Sequence, residues 1–279
     1  MAYRIVGDSC LDLTKDLKGR ENVSIVSLSL TVDGYTVVDD DTFDQKDFIE
    51  RVAKSPTCPK SSCPSPEDYM NAFGLDNVDA YGVTLSAELS GSYNSAELGK
   101  RTLLEDFPEK NIHIFNSRSA SVGETLITMK IVECAESGMA FNEVVDTVEA
   151  YIAEQNTMFV LENLETLRKN GRLSNLKAAL VSVLNIKPVM VATPEGEIAQ
   201  LDMGRGIKKA LIKMAERVSE YAVNTQNKIF AIAHCNCYER ALFFKDEILK
   251  RYNFKDIIIV DTAGVSTMYA NDGGIIIAF

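Results

Sequence analysis

Serine and glycine, gathered in short loops, are the residues of this sequence best suited to chemistry, and what they suit is the holding of an anion. Leu85-Ser86-Ala87-Glu88-Leu89-Ser90-Gly91-Ser92-Tyr93-Asn94-Ser95-Ala96 follows an apolar stretch, Ala80 to Leu85, that reads as a strand, and it opens a helix through small residues. Gly91 lets the backbone approach a ligand closely, while Ser90 and Ser92 put hydroxyls where the unpaired N–H groups of a helix start point outward. Such a place accepts carboxylate or phosphate oxygens. Asp8-Ser9, Ser61-Ser62-Cys63-Pro64-Ser65 and Asn116-Ser117-Arg118-Ser119 also follow strands, and in an open parallel sheet such loops converge on one crevice. Taken singly, each loop is explained by helix capping. Leu89-Ser90-Gly91-Ser92 departs furthest from that explanation, because it holds more hydroxyls than one cap requires.

Other constellations carry less. A serine hydrolase needs a nucleophile, a base and an orienting acid. Gly-x-Ser-x-Gly is absent, and the only histidines are His113 and His234. His113, between Ile112 and Ile114 in a strand, reads as structural, whereas His234 ends a strand and can reach a crevice. The glycine patterns that cradle nucleotide phosphates, Gly-x-Gly-x-x-Gly and Gly-x-x-x-x-Gly-Lys, are missing. Gly204-Arg205-Gly206-Ile207-Lys208-Lys209 opens a helix; Arg205 offers a planar donor fork suited to carboxylate or phosphate, and the same run equally reads as a solvated basic turn. Cys235-x-Cys237 beside His234 is the tightest thiol cluster. A closed zinc site needs four ligands and no second pair is near in sequence, so thiols at a strand end, without metal, are expected. Ala263-Gly264-Val265-Ser266-Thr267 and Asn271-Asp272-Gly273-Gly274 bracket Met268-Tyr269 and permit a tight chain reversal, with Ser266 or Thr267 completing a polar pocket.

The elements that position these loops alternate. Strands are expected at Tyr3 to Val6, through Val26, Leu28, Leu30 and Val32, at Ala80 to Leu85 and at Ile112 to Phe115. Helices are expected at about 45–53, from a Ser65 N-cap with Pro66 and Asp68, from Gly91, at about 121–138 and at about 142–155. That order implies crossovers and a mainly parallel sheet with helices on both faces. The second half reads as strands at Met158 to Leu161, Ile186 to Ala192, Ile198 to Met203, Lys228 to Ala233, Asp256 to Val260 and Gly274 to Phe279. Thr193-Pro194-Glu195-Gly196-Glu197 joins two of them as a hairpin, which makes this sheet mixed. Leu161, Leu164 and Leu167 share threefold spacing in a short helix that stops at Gly171, Ser174 caps the next, and Leu176, Leu180, Val183 and Leu184 form a helical stripe. Two α/β domains are expected, 1–156 and 157–279. With 46% apolar and 25% charged residues the chain is an ordinary globular one. A net charge of −11 with no basic block speaks against nucleic acid, and no apolar run is long enough to span a bilayer. An unprocessed cytoplasmic protein is the expectation.

With these residues in hand, the chain resembles the DegV family, which includes the fatty-acid-binding subunits of bacterial fatty acid kinase. Asp8-Ser9 with Asp12-Leu13 is similar to the family's Asp-Ser-x-x-Asp-Leu motif, and Lys60-Ser61-Ser62-Cys63-Pro64-Ser65 resembles its Thr-Ser-x-Pro-Ser loop with serine for threonine. Leu89 to Ala96 is similar to Leu-Ser-Gly-Thr-Tyr-x-Ser-Ala, and Leu164 to Ser174 followed by Leu184-Asn185-Ile186-Lys187-Pro188 is similar to its central signature. The resemblance implies a fatty-acid tunnel between the two domains, with the carboxylate held by Ser61, Ser90 and the Gly91 N–H, and no cofactor. It implies a separate ATP-dependent kinase as partner, which phosphorylates the bound acid to an acyl phosphate, a polar-end role for Arg205 and a partner-docking role for Arg172. Where many members carry a C-terminal His-Thr-Gly-Pro-Gly loop beside the head group, this chain has Ala263-Gly264-Val265-Ser266-Thr267, so Ser266, Thr267 or His234 is expected to substitute for the absent histidine. A serine-dependent acyl hydrolase or transferase using His234, and a binding module for another small anion, are the alternative readings.

Overall fold

Ile5 and Val6, followed by a turn after Asp8, mark the first strand, β1 (Tyr3–Asp8). In the computed structural model, which describes residues 2–173 and 185–279, β1 pairs in parallel with β2 (Val23–Val26). The chain then leaves this sheet. Val26, Leu28, Leu30 and Val32, expected in one strand, are divided between β2 and β3 (Ser29–Val32), which belong to different sheets. The break is set by Leu28, whose N–H donates to Ser9 Oγ at 3.0 Å and whose carbonyl accepts from Asp39 N at 2.9 Å, in place of ladder partners. β3 lies between β4 (Tyr35–Val38) and β5 (Lys60–Ser62) in a three-stranded antiparallel sheet, with Ser61 opposite Leu30.

The order of the parallel sheet is completed by β6 (Asp79–Thr84) beside β1 and β7 (Ile112–Asn116) at the far edge. Helices cover both of its faces, as β1 records in adjacent residues. Ile5 joins the layer of α5 (Val122–Glu136) and α6 (Phe141–Glu154), and Val6 joins that of α3 (Pro66–Phe73) and α4 (Ser92–Asp106). Helix α3 starts as its sequence predicts: Ser65 and Asp68 form a reciprocal capping box with Pro66 at the first position. Two further helices, α1 (Lys15–Lys18) and α2 (Gln45–Lys54), are capped by the side chains of Thr14 and Asp44.

The second half carries a six-stranded mixed sheet of β8 (Thr157–Val160), β9 (Ile186–Ala192), β10 (Ile198–Arg205), β11 (Ile229–His234), β12 (Asp256–Asp261) and β13 (Ile275–Ala278). Its order is β10-β9-β8-β13-β11-β12, and β11–β12 is its parallel pair. The β9–β10 hairpin forms as expected. One face packs on α8 (Ile207–Arg217) and α9 (Tyr238–Leu249) around Phe230, Met214 and Phe244. The other face turns inward, toward Val122 and Leu126 of α5 and toward Leu164 and Leu167 around α7 (Glu165–Lys169). Leu161, expected at the start of that short helix, lies just past the end of β8 instead. The Ser174 cap and the Leu176–Leu184 stripe lie outside the described residues.

The segment expected to reverse the chain after Thr262 is a helix, α10 (Gly264–Ala270). Its N-cap is Ala263, which has no side-chain acceptor to offer. The acceptors come from the first half: Asp12 Oδ1 takes Ala263 N at 2.6 Å, and the two oxygens of Asp39 take Gly264 N at 2.7 Å and Val265 N at 2.8 Å. Asp12 also accepts from Ser121 Oγ at 2.5 Å. Among the described residues, no helix is long and apolar enough to cross a membrane.

Burial raises the pKa of Asp12 from 3.8 to about 7 and that of Asp39 from 3.8 to about 6, against the opposing pull of these N–H donors. A folded pKa above the unfolded value means that the folded chain holds the proton more tightly. The stability contributed by these groups is therefore greatest near pH 4 and falls as the pH rises to about 7. In Asp12→Asn the fall between pH 4 and 7 should flatten by up to roughly 1.4 kcal/mol per pH unit, read from urea unfolding at several pH values. A slope equal to that of the parent would show that Asp12 does not titrate in this range.

Candidate functional site

Where the inward face of the six-stranded sheet meets α10 and the loops after β6 and β7, the chain forms an apolar cleft with about 740 Å³ of empty space, the open solvent at its mouth included. Leu85, Phe159, Leu161, Leu167, Ile198 and Ile276 supply much of its wall. The buried leucines of the 161–173 segment thus serve the cavity as well as the core.

Ser61, Ser90 and Gly91 do not line the cavity themselves; they neighbour Tyr269 and Leu89, which do. Ser61, on β5, lies 3.2 Å from the phenolic oxygen of Tyr269, which comes from α10 and lines the cavity. Ser90 Oγ donates to Ser92 Oγ at 3.2 Å and accepts from Ser92 N at 3.2 Å, so its hydroxyl is fixed at the start of α4. Gly91 is the N-cap residue of that helix and makes no side-chain cap. A Cβ there would sit 3.0 Å from Cys63 Sγ, so the loops carrying Ser61 and Ser90 touch at this glycine. Arg172 brings the charge. Its Nε donates to the Leu89 carbonyl at 3.0 Å, a further donor goes to the Asn170 carbonyl, and its side chain lines the cavity. Asn170 Nδ2 in turn donates to the Pro59 carbonyl at 2.9 Å, which ties the segment to the start of β5.

The remaining expected site residues are dispersed. Ser266 is buried in the cavity wall, with its Oγ 3.4 Å from the Cys10 carbonyl. Thr267, its neighbour, turns away to Thr262 Oγ1 at 2.8 Å and receives Gln45 Nε2 at 3.2 Å. His234 is buried against Asp261, Nδ1 to Oδ1 3.3 Å, and receives the Cys237 N–H; burial pulls its pKa below the usual value. Neither Thr267 nor His234 lines the cavity, and the residue that meets Ser61 is Tyr269. Arg205 is exposed at the end of β10, outside the cavity, whereas Arg172, expected at a docking surface, points inward. His113 pairs with Glu149 at 3.0 Å. No serine hydrogen-bonds to either histidine among the described residues, and no three His, Cys, Asp or Glu side chains there are placed to hold a metal ion. Tyr269 and the inward turn of Arg172 were missed because nothing local marks them. Their partners are β5 and the β6–α4 loop.

Three sheets flanked by helices, with an apolar cavity on the inward face of the largest and Arg118, Arg172, Ser266 and Tyr269 in its lining, define the class as a mixed α/β fold. The DegV family model matches residues 2–279, and the chain belongs to the DegV family. A DegV domain-containing protein of Streptococcus gordonii is 33% identical over 282 residues, covering 100% of this chain and 99% of its own length. Among solved structures, a DegV family protein from Ruminococcus gnavus refined with vaccenic acid superposes with a TM-score of 0.97 at 52% identity, with 99% of each chain covered. The Fatty Acid Kinase (Fak) B3 protein of Streptococcus pneumoniae loaded with linoleic acid superposes with a TM-score of 0.91 at 30% identity, covering 100% of this chain and 99% of that one.

The thiols report on this geometry. Cys63 is exposed beside Gly91, whereas Cys10 is buried in the cavity wall with its thiol pKa pushed up by burial, and burial raises that of Cys235 to about 12. Brief treatment of the native protein with a thiol reagent, followed by peptide mapping, should label Cys63 and leave Cys10, Cys134 and Cys235 unlabelled until denaturant is added. Rapid labelling of Cys10 in the native state would contradict the enclosed wall.

Proposed function

We propose that this protein binds a long-chain fatty acid in the apolar cavity, with the carboxylate held by Ser61, Ser90 and the Gly91 N–H. The observation that carries the reading is an apolar cavity lined by Tyr269 and Arg172, which are hydrogen-bonded to Ser61 and to the loop that carries Ser90. The physics suits an amphiphile. Each buried methylene contributes roughly 0.8 kcal/mol, so about fifteen contribute roughly 12 kcal/mol before association and ordering costs are subtracted. The carboxylate meets hydroxyl donors, the start of α4 and the Arg172 guanidinium, which bind negative charge without activating a nucleophile. Tyr269 supplies the donor for which Ser266, Thr267 or His234 was expected to substitute, and Arg172 supplies the cation at the head group.

We further infer that the bound acid is presented to a separate ATP-dependent fatty acid kinase, which phosphorylates it to an acyl phosphate. The Streptococcus pneumoniae Fatty Acid Kinase B3 protein, loaded with linoleic acid, supports this reading by its likeness over the whole chain. With Arg172 turned inward, the exposed Arg205 is the better placed of the two arginines to meet such a partner.

Native mass spectrometry of the freshly purified protein should show one bound fatty acid, released and identified on denaturation. Hydrogen bonds to a charged oxygen are each worth about 1.5–3 kcal/mol, so Ser61→Ala and Ser90→Ala should each weaken fatty-acid binding about ten- to hundredfold. Unchanged affinity in the double variant would remove the proposed head-group site. Incubated with ATP and oleic acid, the protein alone should yield no hydroxylamine-trappable acyl phosphate, and adding a bacterial fatty acid kinase catalytic subunit should yield it. Trapped product without the added kinase would make the protein an enzyme in its own right.

A further inference from the structure

At the start of α4 the oxygen of Ser90 and its proton are held by different groups. Ser90 is half-buried and Gly91 exposed, whereas Ser92 is wholly buried. The Leu89 and Ser90 N–H groups both go to the Ser86 carbonyl at 3.0 Å, and Ser90 Oγ accepts the Ser92 N–H at 3.2 Å. Those bonds fix where the oxygen sits. The proton turns inward, from Ser90 Oγ to Ser92 Oγ at 3.2 Å. The cause lies one residue deeper. Asp8 is fully buried, and its two oxygens accept Cys10 N at 3.0 Å and, at the head of the same loop, Leu85 N at 2.9 Å. The Ser92 hydroxyl donates to this carboxylate as well. A hydroxyl has one proton, and an ionised carboxylate only accepts. With its proton given to Asp8, Ser92 offers Ser90 lone pairs alone, so the donors run in one direction, from Ser90 to Ser92 to Asp8.

A carboxylate arriving at this helix start also has only lone pairs to offer, so it competes with Ser92 for the single proton of Ser90. We propose that Ser92, held by Asp8, is a positioning residue that keeps the Ser90 proton inward in the empty site, an internal competitor which the bound carboxylate must displace. This inference rests on the fatty-acid reading given above. On binding, the Ser90 proton turns about the Cβ–Oγ bond from Ser92 to the carboxylate, while the Ser92 N–H keeps Oγ in place. A hydrogen bond between neutral groups is exchanged for one to a charged oxygen, which is the stronger of the two. The exchange is favourable, and its net gain is smaller than the new bond alone would give. Ser92 therefore loosens the grip on the head group, as suits a protein that hands its ligand on.

The test is a double-mutant cycle, read as oleic acid affinity of the delipidated full chain by competition binding. Ser92→Ala removes the competing acceptor and leaves the backbone bonds of Ser90 intact, so it should tighten binding about two- to tenfold. Ser92→Cys, which keeps a side chain of similar size but a poor acceptor, should shift affinity in the same direction by a smaller factor. In a Ser90→Ala background, where there is no proton to compete for, Ser92→Ala should change nothing. A residue that only supported the loop would act in the opposite sense, and its loss would weaken binding whether or not Ser90 is present. Weaker or unchanged binding in both Ser92 variants, or equal tightening with and without Ser90, overturns the proposal. If the parent chain binds no oleic acid, or Ser90→Ala binds it as tightly as the parent, the head-group reading itself fails and the proposal falls with it, an outcome distinct from an intact Ser90 effect without the Ser92 gain.

Discussion

Buried carboxylates that accept backbone N–H groups hold this molecule together. Asp8 takes Cys10 N at 3.0 Å and Leu85 N at 2.9 Å, while Asp12 and Asp39 take the first three N–H groups of the Ala263–Val265 segment. All three side chains are almost wholly removed from water. Taking a carboxylate from water is expensive, and the donors offset only part of that cost, which is why burial leaves each pKa raised. What the arrangement provides is position. The loop after β1 is joined to the loop after β6, and both neighbour the start of α10, so three loops from different parts of the chain share one set of acceptors. Glu124, fully buried beside them, has its pKa driven well up by burial and by the nearby Asp8 charge. Its neutral form is the one this interior tolerates.

The cavity follows from that constraint. Helix α10 has seven residues and no side-chain cap of its own, so its place is set by Asp12 and Asp39. Once it is fixed, Ser266 and Tyr269 face the inward side of the second sheet, with Tyr269 reaching Ser61. The same sheet divides its labour by face. One side packs Phe230, Phe244 and Met214 into a closed core with α8 and α9, and the other presents apolar residues to the first half. The second interface leaves space because its parts are held apart by hydrogen-bonded loops rather than drawn together by side chains alone.

Regular elements were legible wherever apolar residues repeat with a clear period or a cap is written locally. The Ser65-Pro66-Glu67-Asp68 start of α3, the parallel arrangement of β1, β6 and β7 and the β9–β10 hairpin all appear where the pattern places them. Legibility failed where a non-local bond replaces a local one. The alternation from Val26 to Val32 is a faultless strand pattern, yet Ser9 and Asp39 claim the backbone of Leu28 and divide it between two sheets. Gly264 to Ala270 reads as a reversal because its N-cap acceptors stand 225 and 251 residues away in the chain.

By itself the sequence determined the α/β class, the alternation of strands and helices, and a supply of serine and glycine loops suited to an anion, because each of these depends on residues within one or two turns of one another. The tertiary structure decided which of those groups meet. It set Tyr269 rather than Thr267 or His234 beside Ser61, turned Arg172 inward to the Leu89 carbonyl and left Arg205 outside. It also formed the apolar cavity itself. Contacts of this kind form between segments whose separation along the chain carries no local signal, and they are set only when buried polar groups find the partners that burial obliges them to have.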